Sequence, residues 1–374
     1  MKNSYMKNFL LFAFSVALNF IFVACTCLNG GNETAKSANG TGNAYYVSTL
    51  AGNKKEGFAD GRGTSVKFLC PQDVAVDHAG NVYVADRYNN RIRKIDSIGR
   101  VSTLAGDGSG EFTDGRGTSA KFFSPYGIAI DNMGNVYVAD MLNHRIRKID
   151  TTGRVSTLAG DGSKGFIDGS VTIAKFSYPT GVAIDDSGNV YVADSCNHRI
   201  RKIDTTGRVS TLAGSEYGFA DGFRTVAKFN NPNDVAVDNA GNVYVADASN
   251  NRIRKIDTTG LVSTLAGSEY GFADGSGTTT KFYEPSGVTL DNAGNIYVAD
   301  TYNHRIRKID SSGNVSTLAG DGSEGFSDGS GTVAKFGWPY GVAVDSTGNV
   351  YVADTYNHRI RKITQGTSTK ANGD

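Results

Sequence analysis

Two sets of side chains in this sequence have the types that metal binding and acid–base chemistry use. Asp73 and Asp234 form one set, because each stands where the comparable segments carry glycine. Two carboxylates that face each other can hold a cation or polarise a substrate. Imidazole is a common zinc ligand, and four of the five histidines stand in one motif, NHRI: His144, His198, His304 and His358. The chemistry open to either set depends on the elements that position it.

The elements come from a tandem repeat. The motif YVAD occurs six times, and the intervals between copies are 54, 54, 53, 53 and 54 residues. A near-constant period of this length predicts one supersecondary unit copied in tandem. All six prolines occupy one position of the repeat: Pro71, Pro125, Pro179, Pro232, Pro285 and Pro339.

Each copy reads as four short strands, a to d. In the second copy they are GIAID (127–131), NVYVAD (135–140), RIRKID (145–150) and RVSTLA (154–159). These runs are rich in β-branched and aromatic residues and are bounded by Gly, Asn or Asp, which is typical of strands joined by tight turns. The b strand is apolar on both faces, so both faces need cover. Six sheets arranged radially cover one another, as in a β-propeller.

The two ends of the repeat region indicate a closed ring. The last copy stops after Ile363 and lacks its VSTLAG strand, whereas an unpaired VSTLAG stands at residues 47–52. Pairing these segments removes an exposed sheet edge. We therefore predict an all-β, six-bladed β-propeller of four-stranded antiparallel blades over residues 45–365. Its N-terminal strand, about 47–51, pairs with the last blade, and residues 366–374 form a disordered tail.

Residues 339–363, PYGVAVDSTGNVYVADTYNHRIRKI, resemble the NHL repeat almost position for position, and the six copies together cover residues 47–363. The resemblance implies a six-bladed propeller. Members of this family bind proteins or RNA, serve as extracellular modules, or act as lyases and related enzymes. The fold does not choose among these functions.

The first 44 residues read as a targeting segment and tether. Lys2 and Lys7 precede an apolar run over 9–24, which is too short to span a bilayer comfortably but suits a secretory signal. Residues 22–25 resemble a bacterial lipobox, so we predict a signal peptide at 1–24, lipid on Cys25 and a flexible tether over 25–44. A plain cleaved signal and a retained short anchor are the alternatives. The predicted location is the bacterial cell envelope, anchored by the lipid, with Thr26 favouring the outer membrane.

Charge gives no argument for a nucleic-acid partner, because the formal net charge is +1. The recurring RIRK segments lie in strand c near acids such as Asp86, and we expect Arg–Asp pairs between strands. We therefore predict no nucleic-acid partner, and the domain is expected to be a monomer.

The resemblance places the histidines in separate blades, so they should lie on a ring away from the axis rather than converge on one metal ion. We predict a hydrogen-bonding role, which Asn90 and Asn251 fill in the other two copies. Those are the copies with Asp73 and Asp234. Either each Asp compensates locally for the Asn of its blade, or the two acids face each other across the channel mouth.

The long connection between strands d and a recurs in every copy. It carries two phenylalanines per copy, which we expect to pack the connection against the blade edge. Its DG-G-T turn could offer oxygen ligands to calcium, but it has few carboxylates. We predict no cofactor and assign no catalytic residue.

The copies differ most at positions beside the repeated proline and after YVAD, which lie on one face of a propeller. Exposed aromatic side chains mixed with polar ones are typical of recognition surfaces. We predict non-catalytic recognition of a protein or glycan there. The alternatives are a metal-dependent, lactonase-like hydrolase or lyase in the channel, and a structural scaffold. The candidate ligand residues are Trp338, Tyr340, Tyr126, Tyr178, Tyr283, Glu284, Arg87, Tyr88, Tyr302 and Tyr356.

Overall fold

The computed structural model describes residues 45–366, and the predictions made for residues 1–44 and 367–374 lie outside that range. The described residues form six antiparallel sheets, which are the blades. The inner strand of each blade packs against the inner strands of both neighbours, and the sixth packs against the first. The six-bladed ring predicted from the repeat is confirmed. No helix within 45–366 has the length and apolar character needed to cross a bilayer.

Strands a, which begin at the repeated proline and line the axis, are Pro71–Val76, Pro125–Ile130, Pro179–Ile184, Pro232–Val237, Pro285–Leu290 and Pro339–Val344. Strands b are Val82–Asp86, Val136–Asp140, Val190–Asp194, Val243–Asp247, Ile296–Asp300 and Val350–Asp354. Strands c are Arg91–Ile95, Arg145–Ile149, Arg199–Ile203, Arg252–Ile256, Arg305–Ile309 and Arg359–Gln365. The order of strands a along the chain numbers the blades 1 to 6.

Strands d of blades 1 to 5 are Arg100–Ala105, Arg154–Ala159, Arg208–Ala213, Leu261–Ala266 and Asn314–Ala319. A single turn of 3-10 helix joins b to c in each blade: Arg87–Asn89, Met141–Asn143, Ser195–Asn197, Ala248–Asn250, Thr301–Asn303 and Thr355–Asn357. Further 3-10 turns lie in four of the d–a connections: Gly63–Ser65, Gly117–Ser119, Arg224–Val226 and Gly277–Thr279.

The blades have five strands, one more than predicted. The extra strand, e, has two residues and pairs with strand d: Gly61–Arg62, Gly115–Arg116, Gly169–Ser170, Gly222–Phe223, Gly275–Ser276 and Gly329–Ser330. In blade 1 its glycine has φ +145, a conformation that favours glycine. Asp60, just before it, accepts hydrogen bonds from Arg93 of strand c and from Thr103 of strand d. These tertiary bonds hold a two-residue segment that sequence periodicity does not reveal.

The ring closes through the N-terminal strand, as predicted. Tyr45–Gly52 is strand d of blade 6 and pairs antiparallel with Arg359–Gln365 on one side and with Gly329–Ser330 on the other. Val47 and Ala51 of this strand are fully buried. The segment therefore joins the two ends of the repeat region and removes the exposed edge of the last blade.

The hydrophobic core lies between blades. In one such layer Tyr297 and Ala299 of blade 5 pack against Val342, Val350 and Val352 of blade 6, and five similar layers complete the ring. The second phenylalanine of each d–a connection is fully buried. The prediction for the first one is wrong in part, because these six rings are 39–47% exposed and stack on arginine guanidinium groups instead.

The predicted Arg–Asp pairs are present in every blade. In blade 3, Arg201 and Asp194 are fully buried and their nearest N and O atoms lie 2.7 Å apart. Arg201 also bonds to Asp168, which is partly exposed. The same arrangement recurs at Arg93, Arg147, Arg254, Arg307 and Arg361. Because these guanidinium groups are enclosed, the RIRK segments are part of the framework.

Candidate functional site

The channel mouth on the face of the d–a and b–c connections is narrow. The six residues that follow the repeated proline surround it, and the cavity between them is only about 10 Å³. The Tyr126 hydroxyl lies 3.1 Å from Asn233 Oδ1, which links blades 2 and 4. The ring consists of Gln72, Tyr126, Thr180, Asn233, Ser286 and Tyr340.

Tyr126 and Tyr340 were predicted on the open ligand face, but the structure places both in this mouth, where they are partly buried. Burial raises the pKa of both hydroxyls, so they stay protonated and can donate hydrogen bonds. The position after the proline points to the axis, and the repeat pattern alone did not distinguish it from the neighbouring position that points outward.

Around the mouth, five aromatic rings form a continuous row, here called the aromatic arc, which crosses blades 5 and 6. Neighbouring ring centroids lie 5.7, 4.8, 4.4 and 5.0 Å apart. Three of these separations lie within the range of about 4.5–7 Å that is typical of stabilising aromatic pairs, and the fourth lies at its lower limit. In order, the arc comprises Tyr270, Tyr283, Tyr302, Trp338 and Tyr356.

The arc combines a packed centre with exposed ends. Tyr302 and Trp338 are partly buried, whereas Tyr270 is 69% and Tyr356 is 55% exposed. Burial, with the nearby Glu284 carboxylate as the next cause, raises the pKa of Tyr302 to about 12. The phenol therefore stays neutral. Tyr270 was not predicted, although its position holds tyrosine in only two copies, as Tyr217 and Tyr270, and Glu, Gly or Lys in the other four.

Arg87 and the residues that it contacts, here called the Arg87 cluster, continue the surface on blade 1. The Arg87 guanidinium lies 4.7 Å from the ring centre of Tyr88 and 5.0 Å from that of Tyr126. Arg87 also donates to Ser124 Oγ and to Gln72 Oε1. Arg87 therefore connects an exposed tyrosine on the face to a tyrosine in the mouth.

The other predicted ligand residues lie apart from the arc or are partly covered. Tyr178 on blade 3 stacks edge-on against His144, and the Lys164 ammonium lies 5.0 Å from the centre of its ring. Glu284 on blade 5 is partly buried, and burial raises the pKa of its carboxyl. Glu284 borders the arc, whereas Tyr178 belongs to a different part of the same face.

The histidines link neighbouring blades. His144 Nδ1 accepts a hydrogen bond from the backbone N–H of Tyr178 in the next blade, at 3.2 Å. Its three counterparts make the same bond to the next blade in turn. Asn90 Oδ1 and Asn251 Oδ1 accept the equivalent bond from Ser124 and Glu284. The predicted hydrogen-bonding role is confirmed in all six blades.

Asp73 and Asp234 lie beside the mouth and are buried, with 8% and 9% of their surfaces exposed. Each carboxylate accepts one N–H from its own strand and one from the next blade, namely Ile128 for Asp73 and Val288 for Asp234. The Asp and the Asn of one blade thus bond to separate groups. Burial, followed by the field of Asp234, raises the pKa of Asp73 well above its ordinary value. Both acids line the cavity of the mouth. Burial raises the pKa of Asp234 to about 7.

The DG-G-T turns use their carboxylates within the fold. Asp328 Oδ1 accepts hydrogen bonds from Arg361, and the carboxylate also accepts from Thr49 Oγ1 of the closing strand. Among residues 45–366, no group of three or more His, Cys, Asp or Glu side chains is placed to share one metal ion. The carboxylates of these turns therefore hold the d–a connections against the strands of the blade.

Comparison with known proteins gives the same architecture. A family profile described as NHL repeat matches residues 68–95, 176–203, 229–256, 282–309 and 336–363. The chain is 34% identical over 325 residues to the Arabidopsis thaliana protein SUPPRESSOR OF QUENCHING 1, chloroplastic, with 84% of this chain and 27% of that protein covered. It is 31% identical over 343 residues to NHL repeat-containing protein 2 of Bos taurus, covering 80% of this chain and 47% of that protein. The chain thus spans less than half of either relative.

Two solved structures illustrate the range of similar folds. An auxiliary nutrient binding protein from Bacteroides thetaiotaomicron has a TM-score of 0.66 and 18% identity, with 86% of this chain and 76% of that chain covered. A gluconolactonase from Xanthomonas campestris has a TM-score of 0.57 and 12% identity, with 85% and 89% covered. At these identities the similarity concerns the fold. Together with the repeat matches, it shows that this chain is a six-bladed β-propeller built from NHL repeats.

Proposed function

We propose that this propeller is a non-catalytic recognition module that binds a protein or glycan through the aromatic arc and the neighbouring Arg87 cluster. The observation that carries the proposal is the unbroken row of five rings on one part of a face whose remaining blades lack it. A repeat that copies its framework six times but brings five aromatic rings into contact in one row supports binding at that row.

The exposure of the rings supports the same function. Aromatic anchors in a packed centre, surrounded by more exposed contacts, resemble the residues that dominate binding energy in interfaces. Trp338 and Tyr302 fit the centre, and Tyr283, which is 37% exposed, fits the border. Neutral tyrosine hydroxyls and the Arg87 guanidinium would supply the directional hydrogen bonds that either class of ligand needs. The nutrient-binding neighbour is consistent with a binding role, although it shares only the fold.

The test is an unbiased screen of glycans and envelope proteins with residues 45–366, which contain every strand of the ring. We expect capture of one ligand class, and Trp338→Ala together with Tyr302→Ala should abolish it. Phe223→Ala is the control, because Phe223 is a 50% exposed aromatic residue on strand e of blade 4, outside the arc. Binding that survives the double substitution, or that is lost in the control, would contradict the assignment.

The alternative function, metal-dependent hydrolysis or lyase chemistry in the channel, is favoured by one observation, the facing pair Asp73 and Asp234. From the face with the arc, Tyr126 and Tyr340 narrow the passage to about 10 Å³, so a substrate would have to enter from the opposite face. The test is turnover of an ester or lactone. If Asp73→Asn and Asp234→Asn abolish turnover while the substitutions in the arc leave it unchanged, catalysis would replace recognition as the proposed function.

We also propose that the module is anchored to the cell envelope by a lipid on Cys25. The support is the sequence alone, because residues 1–44 lie outside the described part of the chain. Fractionation after expression of Cys25→Ser tests it. The wild-type chain should sediment with membranes and the variant should be soluble, and the same distribution for both would contradict the anchor.

A further inference from the structure

Blades 3 and 6 share one local arrangement in which a single charge is reversed. In both blades an aromatic residue stands just before the repeated proline, Tyr178 in blade 3 and Trp338 in blade 6. The backbone N–H of each donates to the histidine of the preceding blade, His144 or His304, and each ring lies edge-on to that imidazole. The two sites therefore form a matched pair within one molecule.

In blade 3 the protein covers its aromatic ring with a cation of its own. The Lys164 ammonium lies 5.0 Å from the ring centre of Tyr178, and a cation within about 6 Å of a ring centre is attracted to the aromatic face. Lys164 belongs to the segment DGSKGF, residues 161–166, and the same segment of blade 6 reads DGSEGF, residues 321–326. Glu324 therefore stands where the lysine would be.

The rings of the arc have no such internal cation. Within residues 45–366, no lysine or arginine side chain lies over any of the five rings, and Arg87 lies over Tyr88 and Tyr126 instead. Trp338 is only partly buried. The blade 6 site thus presents an indole ring without a cation, beside an acidic residue that replaces one.

Two carboxylates without an ion pair border these rings. In the part of the chain that the structure describes, neither Glu324 nor Glu284 pairs with a basic side chain, whereas Glu269 pairs with a lysine. Burial lowers the pKa of His304, and the nearby Glu324 carboxylate opposes that shift. After burial, the Glu284 carboxylate is the next cause of the raised pKa of Tyr302. One acid therefore lies beside the blade 6 part of the arc and the other beside the blade 5 part.

We propose that the arc binds a positively charged segment of a protein, with a lysine side chain of that segment over Trp338 and its ammonium group beside Glu324. The bound lysine takes the place at Trp338 that Lys164 takes at Tyr178. Indole is the ring that attracts cations most strongly, and complementary charges favour the correct partner over others. This inference rests on the proposed recognition function and narrows its ligand from a protein or glycan to a basic protein segment.

The probe is tetralysine, because Trp338 is the only tryptophan of the chain and its fluorescence reports on the site directly. The comparison ligands are a tetrapeptide of Nε-acetyl-lysine, which lacks the side-chain charges, tetraglutamate, and the neutral glycan cellohexaose. We expect tetralysine to change the fluorescence saturably at concentrations about tenfold lower than the acetylated peptide. Tetraglutamate and cellohexaose should cause no change.

The variants locate the ammonium group. Glu324→Lys brings an internal ammonium to Trp338, as in blade 3, and should weaken tetralysine binding by about tenfold or more. Glu111→Lys is the matched control, because it makes the same charge change at an exposed position of blade 2, which is opposite blade 5 in the ring. The control should change the affinity less than about threefold, since an exposed charge far from the site is largely screened. Both substituted residues are exposed, so both variants should fold.

The outcomes separate this inference from the proposed function. Binding of cellohexaose or tetraglutamate at Trp338 in preference to tetralysine would overturn the basic ligand and leave recognition by the arc in place. Equal losses in Glu324→Lys and Glu111→Lys would show that net charge governs binding, and would also overturn the site at Trp338. If no probe changes the fluorescence and the screen yields no ligand that depends on Trp338, both the inference and the proposed function are wrong.

Discussion

The face that carries the d–a and b–c connections has two halves. They share one backbone conformation but present different side chains. After YVAD, blades 5, 6 and 1 carry Tyr302, Tyr356 and Tyr88, whereas blades 2, 3 and 4 carry Leu142, Cys196 and Ser249 at the same position. In both halves the turn is one 3-10 segment that ends in a residue with φ near +50. The difference is therefore in side chains alone.

The two halves therefore share the contacts that hold the ring together and differ in the side chains on its surface. Buried Arg–Asp pairs, His or Asn bridges and layers between blades are the same in both halves, so they account for stability. The aromatic arc occurs in one half, so the proposed binding site lies in that half. The following tests either break this separation or sharpen it.

The largest effect should come from the strand that closes the ring. Deleting residues 45–52 removes two fully buried side chains and exposes the edges of strands on both sides. We expect loss of cooperative thermal unfolding, followed by circular dichroism. Tyr46→Ala in the same strand is the control, because Tyr46 is 54% exposed and surface substitutions usually change stability by no more than about 0.5 kcal/mol. A deletion variant that melts like the wild type would show that the halves do not depend on closure.

The buried ion pairs should contribute equally to the free energy of unfolding in both halves. Arg201→Ala in blade 3 and Arg361→Ala in blade 6 each leave an enclosed aspartate without its partner. Breaking such a pair costs about 3–5 kcal/mol. Urea denaturation should give two losses of this size within about 0.5 kcal/mol of each other, and a difference above about 2 kcal/mol would contradict a uniform framework.

The buried acids should make stability depend on pH. The pKa of Asp234 is about 7 in the folded protein and about 4 when unfolded, so the folded state holds this proton more tightly. Stability from this group is therefore lost as pH rises from about 4 to about 7, by up to about 4 kcal/mol. Asp234→Asn should flatten that slope, whereas Asp73 continues to contribute in both proteins. Parallel curves for the two proteins between pH 4 and pH 8 would contradict the raised pKa.

Ligand binding should distinguish the halves. Once a ligand is identified, Trp338→Ala should weaken binding by about 2 kcal/mol, or roughly thirtyfold, as for a central aromatic anchor. Tyr178→Ala in blade 3 stands at the same repeat position and should change affinity less than threefold. Equal losses, measured by calorimetry, would show that the whole face binds.

The smallest effect concerns the bridges between blades. His198→Asn keeps an acceptor for the Asn231 N–H, as Asn90 and Asn251 do in their blades, and should be neutral within about 0.3 kcal/mol. His198→Gly keeps the backbone conformation but removes the acceptor, and should cost about 1 kcal/mol. If the Asn variant loses as much stability as the Gly variant, the imidazole has a further role.

Much of the fold was predictable because the same pattern of strands recurs in six copies of the repeat. The period, the b strand with two apolar faces and the displaced VSTLAG segment together require a closed ring of blades. The acceptor role of the histidines was also accessible, because two copies replace them with Asn. The fifth strand was missed, since two residues held by Asp60 and its counterparts leave no periodic signal.

The site was predictable in part. The sequence identified the face and most of the arc, because copies of one framework expose their differences. It placed Tyr126 and Tyr340 on the open surface, since successive residues of a strand point to opposite sides and the register against the axis is a tertiary property. Gln72 and Tyr270 were not singled out, because a residue that lines the mouth and a ring at the end of a row acquire meaning only from their neighbours.

By itself the sequence determined the ring, its closure and the set of candidate side chains, because a sixfold repeat fixes the local elements and requires that each blade cover the next. The tertiary structure decided which of those side chains meet. It joined five rings from separate segments into one row, set two carboxyl groups opposite each other, and closed one end of the channel. Such contacts depend on how blades approach across the axis, and no local pattern encodes that distance.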